Sequence, residues 1–287
     1  MNLTVANWNI WGKSANYQSR LPDILSTLRS VNADVVGLVE VFKDADELQV
    51  ETLAQELGYP HWDYLALHDD PENERAGVPW GVGVLSRYPL SHRRELSQPN
   101  PDSYFALPAV LLITTVESPY GPFDVAVICE WGLSWSGYGT SGTTDRRDSY
   151  QAFTTAISEG PEKRLAPILL GDFNTPPDTY DIRKLTGKIP HDTYAMSFLD
   201  TWAMGHGVEG GWTFDGTSNA HLRHRPFGKH RIDYIMTGAG PSYEYLWRVN
   251  EVSVFGQYGS ELLPPSDHYG VRAVLEPAGL FGARLSE

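Results

Sequence analysis

Short apolar runs in this chain repeatedly end in a single carboxylate, amide or imidazole. Asn9 closes the run that begins at Leu3, and Glu40 follows Val36-Gly37-Leu38-Val39. Asp172 and Asn174 follow Ile168-Leu169-Leu170, and Asp233 lies inside Arg231-Ile232-Asp233-Tyr234-Ile235. Asp267 and His268 stand just before Tyr269-Gly270-Val271. Runs of this kind read as buried strands, and a polar group left at a buried strand end without a partner is costly. The fold must therefore bring these ends together or cap each one locally. Taken singly, each Asp or Asn is a turn or cap residue and each His a surface residue. Taken jointly, with the strand ends converging, they would line one cleft with oxygen ligands. Such a cleft suits Mg²⁺ or Mn²⁺, which takes one or two carboxylates and leaves room for water and substrate oxygens.

Between these runs lie amphipathic helical stretches. Leu21, Ile24, Leu25 and Leu28 fall at helical spacing, as do Leu53, Ala54 and Leu57, and Tyr150, Phe153 and Ile157. Ala109 to Val116 and Phe123 to Glu130 flank Ser118-Pro119-Tyr120-Gly121-Pro122, which reads as a hairpin turn. Further strands are expected at Val35 to Val41, Val82 to Leu85, Pro167 to Leu170, Arg231 to Met236, Val249 to Phe255 and Val271 to Leu275. Loops are expected near 61–80, 131–148 and 205–230, and a loose tail over 277–287. The pattern is mixed α/β in one unit spanning 1–287. At 287 residues and 41% hydrophobic content, the chain can bury a large core.

The formal net charge is -14. A general nucleic-acid binder carries a basic field, because phosphate neutralisation supplies its affinity. The balance here favours a small phosphorylated substrate over a polynucleotide. Cys129 is the single cysteine, so no intrachain disulfide forms. The N-terminal residues run straight into strand-like sequence without a charged, cleavable leader, and no apolar run approaches a membrane span. A cytoplasmic location is the expectation, and the oligomeric state is left open.

Six pieces in order carry a resemblance. They are Asn7-Trp8-Asn9-Ile10, Leu38-Val39-Glu40-Val41, Gly83-Val84-Leu85-Ser86-Arg87-Tyr88-Pro89, Gly171-Asp172-Phe173-Asn174, Arg231-Ile232-Asp233-Tyr234 and Ser266-Asp267-His268. Together they resemble the endonuclease/exonuclease/phosphatase (DNase I-like) superfamily, which includes DNase I-like nucleases, abasic-site endonucleases, sphingomyelinases and inositol phosphatases. The resemblance implies a four-layer α/β sandwich, with two packed mixed β-sheets flanked by helices. It implies metal-assisted attack of water on a phosphodiester or phosphomonoester. It also implies roles: Asn9 and Glu40 at the cation, Asp267 beside it, Asp172 on the attacking water, and Asn174 on a phosphate oxygen and the nucleophile. His268, held by Asp233, would contact the phosphate.

One position departs from the pattern. Family members commonly carry a histidine at the end of the hairpin strand, in a Thr-His-Leu-like context. Here Val127-Ile128-Cys129-Glu130-Trp131 puts Glu130 there, and a slip of one residue puts Trp131 there. Glu130 would bind a second metal, bond a substrate hydroxyl or amine, or mark a catalytically weakened binding protein on the same scaffold. Alternatively it pairs with Arg146 or Arg147 in the loop. The segment His221 to Arg231 carries Arg223, Arg225, Lys229 and Arg231 with three histidines and no acid. Arg223, Arg225 and Arg231 are candidates for substrate-phosphate contact, or else a solvated face. The three histidines read as zinc ligands only weakly, with no cysteine partners. Trp131 heads an aromatic, glycine-rich run suited to stacking on a base, sugar or acyl chain, or to packing the loop. The alternative substrate is DNA or RNA.

Overall fold

The computed structural model describes residues 2–67, 80–98, 108–130, 143–160, 165–190, 194–223, 228–240, 243–259 and 263–279. In chain order the elements are β1 (Leu3–Asn9), α1 (Tyr17–Val31), β2 (Val35–Phe42), α2 (Gln49–Leu57), β3 (His61–Ala66), β4 (Trp80–Ser86) and β5 (Leu90–Gln98). There follow β6 (Ala109–Ser118), β7 (Gly121–Cys129), α3 (Thr143–Ser158), β8 (Ile168–Asp172), α4 (Tyr180–Leu185), β9 (Ser197–Asp200) and α5 (Thr201–His206). The chain closes with β10 (Phe214–Asp215), β11 (Lys229–His230), β12 (Asp233–Ala239), β13 (Tyr245–Phe255) and β14 (Gly270–Gly279).

Two six-stranded sheets form, in the orders β13-β14-β1-β2-β4-β3 and β5-β6-β7-β8-β12-β9, with β10 and β11 as a separate ribbon. Period-two alternation sorts their side chains. Leu3, Val5, Val35, Val39, Val82 and Val84 of the first sheet pack against Val110, Leu112, Val125, Val127, Ile168 and Leu170 of the second. The opposite face of the first sheet, with Ala6, Trp8, Val36 and Leu38, is covered by Ile24 and Leu28 of α1 and Leu53 of α2. Ile113, Ala126 and Leu169 of the second sheet lie under Tyr150, Phe153 and Ile157 of α3 and Ile182 of α4. This is the four-layer α/β sandwich with two packed mixed β-sheets.

Strand directions decide where the polar ends go. β1 and β2 run parallel, so Asn9 and Glu40 emerge on the same edge. β14 is antiparallel to β1, and its start, just after His268, lies at that edge. In the second sheet β7 and β8 are parallel and deliver Glu130 and Asp172 together. β12 is antiparallel to β8, with Asp233 opposite Asp172. Close sheet-to-sheet approach brings the two sets into one cleft. Gly37 makes this approach possible, because a Cβ there would stand 2.8 Å from Leu170 Cδ1. Asn7 then ties the sheets directly, its Nδ2 donating to Gly171 O at 3.0 Å.

Several expectations needed revision. The loop expected over 61–80 begins with β3, which pairs along β4. That strand is half-exposed at the sheet edge, so it lacks the apolar run that marks the buried strands. The 205–230 stretch carries β10, a short 3-10 turn at Ala220–Leu222 and β11. Pro277 belongs to β14 rather than to a tail, paired with Trp247. Helix α3 starts at Thr143, inside the loop expected over 131–148. No helix among the described residues is long and apolar enough to cross a membrane.

Candidate active site

Glu40 stands at an irregularity in β2, where the register against β4 shifts between Val39 and Val41. Its backbone is left-handed, with φ 56. One inserted residue interrupts the alternation, so Val41 packs on the helix side while Val39 faces the other sheet. The bulge frees the Glu40 carboxylate to turn into the cleft. There Asn9 Nδ2 donates to Glu40 Oε1 and to Asp172 Oδ2, both at 3.1 Å. Asn9 Oδ1 accepts from Trp11 N at 3.0 Å. The resemblance puts Asn9 at the cation; in this arrangement its Oδ1 accepts from the backbone and its amide bridges two carboxylates from different sheets.

Asp172 ends β8 beside Gly171, whose φ of +151 suits glycine. A Cβ at Gly171 would lie 2.1 Å from Ile128 O. Asp172 Oδ1 accepts from Asn174 N at 2.8 Å, a side-chain turn that holds Asn174 at φ 47. Asn174 Nδ2 donates to Glu130 O at 2.9 Å, and Glu130 N donates to Asp172 O at 3.0 Å. Asn174 thus fixes the backbone of Glu130, and the Glu130 side chain is buried beside it.

His268 closes the set. Its Nδ1 lies 2.9 Å from Asp233 Oδ2, and its Nε2 lies 3.8 Å from Asp172 Oδ2. The Phe214 ring packs on the imidazole at 4.8 Å between centroids. The turn that carries Asp267 and His268 is held from several sides. Ser266 Oγ donates to Asn9 O at 2.8 Å, and Trp8 Nε1 donates to His268 O at 3.0 Å. Asn219 Nδ2 donates to Ser266 O at 3.0 Å and to Asp267 O at 2.9 Å. Thr213 Oγ1 accepts from Ile232 N and Asp233 N, which sets the start of β12.

These groups change one another's proton affinity. Burial, together with the Asp267 charge, pushes the Glu40 carboxyl up to about 8. Burial, together with Asp233, pushes Asp172 up to about 7. Burial alone would draw the His268 imidazole down, but Asp233 and Asp172 outweigh it and hold the ring well above the ordinary histidine value. The cleft therefore concentrates negative charge that its own residues only partly neutralise. Buried Glu40 and nearby Asp267 form an oxygen donor set that fits a hard divalent cation, which would relieve that repulsion. Asp172, Asp233 and His268 also offer ligand atoms within 4.8 Å of one another. There, however, His268 Nδ1 already faces Asp233 as a hydrogen-bond partner, which suits proton handling better than metal ligation.

The remaining expected residues divide. Arg231, expected at substrate, is buried and pairs with Asp200 at 2.6 Å, so its guanidinium anchors β12 to β9 instead of facing solvent. Arg223 is exposed at the end of the 3-10 turn. Arg225 and Trp131 lie outside the described residues, as do His224 and the side chains of Arg146 and Arg147. Against the zinc reading, a His221 ring nitrogen bonds Pro264 O at 2.9 Å, and His230 pairs with Phe214 in the ribbon. Sequence reasoning passed over Arg20 and Asn219, whereas the Trp212-Thr213-Phe214-Asp215 piece resembles a family strand near the site and reads as structural. Arg20 had a signal: it shares a helix face with Tyr17, Ile24, Leu28 and Val31, where a charge needs a reason.

Comparisons with known proteins agree with this fold. D. rerio TDP2 complexed with single-strand DNA product superposes with a TM-score of 0.70, at 18% identity over 96% of this chain and 99% of that one. An endonuclease/exonuclease/phosphatase from Beutenbergia cavernae DSM 12333 superposes with a TM-score of 0.65, at 25% identity over 96% and 72% of the two chains. Truncated Caenorhabditis elegans TDP2 gives 0.64 at 15% identity, over 96% and 97%. No curated protein matches the sequence. The endonuclease/exonuclease/phosphatase family model matches residues 6–268, and the chain belongs to that family.

Proposed function

We propose that the protein is a divalent-metal-dependent phosphoesterase that hydrolyses a small phosphodiester or phosphomonoester. The observation that carries this reading is the contact chain from Asp233 through His268 to Asp172, joined by Asn9 to Glu40. It supports a base, a cationic donor and a cation site within one cleft.

A Mg²⁺ or Mn²⁺ ion held by Glu40 and Asp267 would neutralise phosphate charge and favour departure of the leaving oxygen. Asp172 takes the proton from the attacking water, and its raised pKa near 7 places it close to the best value for a general base at neutral pH. Asn174, whose amide donates to the Glu130 carbonyl, would help hold a phosphate oxygen and the attacking water. His268, charged through Asp233, donates from Nε2 to a non-bridging phosphate oxygen and stabilises the charge that develops there. Water adds to phosphorus as Asp172 accepts its proton, the bond to the leaving oxygen breaks, that oxygen takes up a proton from solvent, and Asp172 releases its own to solvent.

A nuclease is the second reading, favoured by the single-strand DNA product bound to D. rerio TDP2. The charge of -14 argues for the small substrate. A panel of chromogenic phosphate monoesters and diesters, with and without Mn²⁺, tests the main reading. Turnover that needs Mn²⁺ supports it. Tight ligand binding with no turnover on any ester would favour a weakened binding protein, with Glu130 in place of the usual histidine. Salt separates the two enzyme readings: polynucleotide cleavage falls steeply with added salt, whereas small-ester turnover changes little.

A further inference from the structure

The guanidinium of Arg20 is buried, and all of its hydrogen bonds go to backbone carbonyls of two loops that border the cleft. Nη1 donates to Ile10 O at 3.0 Å and to Pro265 O at 2.6 Å. Nη2 donates to Gly12 O at 2.8 Å, Ser14 O at 2.9 Å and Trp11 O at 3.2 Å, and Nε donates to Ser14 O at 3.1 Å. One loop starts immediately after Asn9. The other ends immediately before Ser266, Asp267 and His268. Arg20 and Pro265 are 245 residues apart in sequence. A planar guanidinium with five donors can join them in this way, whereas a lysine ammonium cannot reproduce its fork.

The loop it grips is strained. Trp11 has φ 59 and Gly12 has φ 41, and a left-handed conformation in a bulky residue is uncommon and costly. The Trp11 ring centroid lies 5.3 Å from the Arg20 guanidinium carbon and 4.9 Å from the His221 ring centroid, so the strained residue is packed against both. His221 in turn bonds Pro264 O, next to the carbonyl that Arg20 holds. The strain has a local consequence. Trp11 N donates to Asn9 Oδ1 and so orients the side-chain amide, which in turn bridges Glu40 and Asp172. Losing the Trp11 conformation would release Asn9 to rotate.

We infer that Arg20 is a positioning residue. It fixes the loop that orients Asn9 against the loop that presents Asp267 and His268, and so sets the distance across which a divalent cation is held. This rests on the proposed reading that Glu40 and Asp267 receive such a cation. Arg20 itself touches neither substrate nor the reacting atoms.

The test is calorimetric Mn²⁺ binding to the wild-type protein and to Arg20→Lys, which keeps the charge and loses the fork. Far-UV circular dichroism and the thermal midpoint follow the fold. Outer-shell positioning groups typically change metal affinity by about 10- to 100-fold, and Arg20→Lys is expected to weaken Mn²⁺ binding by at least about tenfold while remaining folded. Equal affinity in the two proteins overturns the inference and leaves the cation reading standing. Absence of Mn²⁺ binding in the wild type overturns the cation reading and this inference with it. Hydrogen exchange on the wild type needs no variant. Amides of Trp11–Ser14 and of Ser266–His268 are expected to gain protection together as Mn²⁺ is added. If one segment responds and the other does not, the clamp is refuted whatever the variant does.

Discussion

Replacing Glu40 with glutamine is expected to stabilise the metal-free protein, and to do so far more at high pH than at low. The Glu40 carboxyl is 7% exposed, and burial followed by the Asp267 charge raises its pKa from 4.5 to about 8. An unfolded glutamate releases its proton near the ordinary value, while the folded one keeps it. The contribution of this proton to stability is complete below 4.5 and is lost as pH rises through about 8. Linkage between these two values gives a loss on the order of 3 kcal/mol between about pH 5 and about pH 8. That is a large fraction of a total stability of about 5–15 kcal/mol. Glutamine keeps the shape and an oxygen for Asn9, and it does not ionise. Urea unfolding in a chelator, across that pH range, measures the difference. The advantage of Glu40→Gln over the wild type is expected to grow by on the order of 3 kcal/mol. Added Mn²⁺ is expected to reverse the order at the high-pH end, because it stabilises only the protein that binds it. A difference that stays constant across the pH range would refute the picture of a buried, mutually repelling acidic cluster.

Asp172→Asn and His268→Ala are each expected to lower ester turnover by at least about a hundredfold, and steady-state kinetics at saturating Mn²⁺ check this. Asp233→Asn removes the charge that most raises the His268 pKa. The alkaline limb of the rate–pH profile, where His268 loses its proton, is then expected to move to lower pH, and the acidic limb set by Asp172 to move the same way, because the Asp233 charge also raises the Asp172 pKa. Gly171→Ala would place a Cβ against Ile128 O at a positive φ, and is expected to cost at least about 2 kcal/mol in denaturant unfolding. Glu130→His tests the departure from the family pattern: unchanged rate and unchanged Mn²⁺ dependence would assign Glu130 to structure, and a change in either would assign it to the chemistry.

The buried strands and the residues at their ends were legible because apolar runs and hydrophilic stops have local signatures. Val36 to Val39 and Ile168 to Leu170 announce themselves, and Glu40 and Asp172 stand out against them. The edge strand β3 did not, because half-exposed residues carry no continuous run. The bulge at Glu40 was also hidden, since an inserted residue leaves no mark in composition. Arg231 misled for a related reason: a basic cluster in sequence looks like a surface, yet β12 turns this residue inward to Asp200. Asn219 and Thr213 act through backbone groups 47 and 20 residues away, a relation that only the assembled turn at Ser266 and the start of β12 reveal.

Anomalous scattering from a crystal soaked with Mn²⁺ and phosphate tests the central claim most directly. A manganese peak between Glu40 and Asp267 is expected, with a phosphate oxygen within hydrogen-bond reach of His268 Nε2. A cation held instead by Asp172, Asp233 and His268, or an ordered phosphate with no cation beside it, would contradict the proposed division of labour in the cleft.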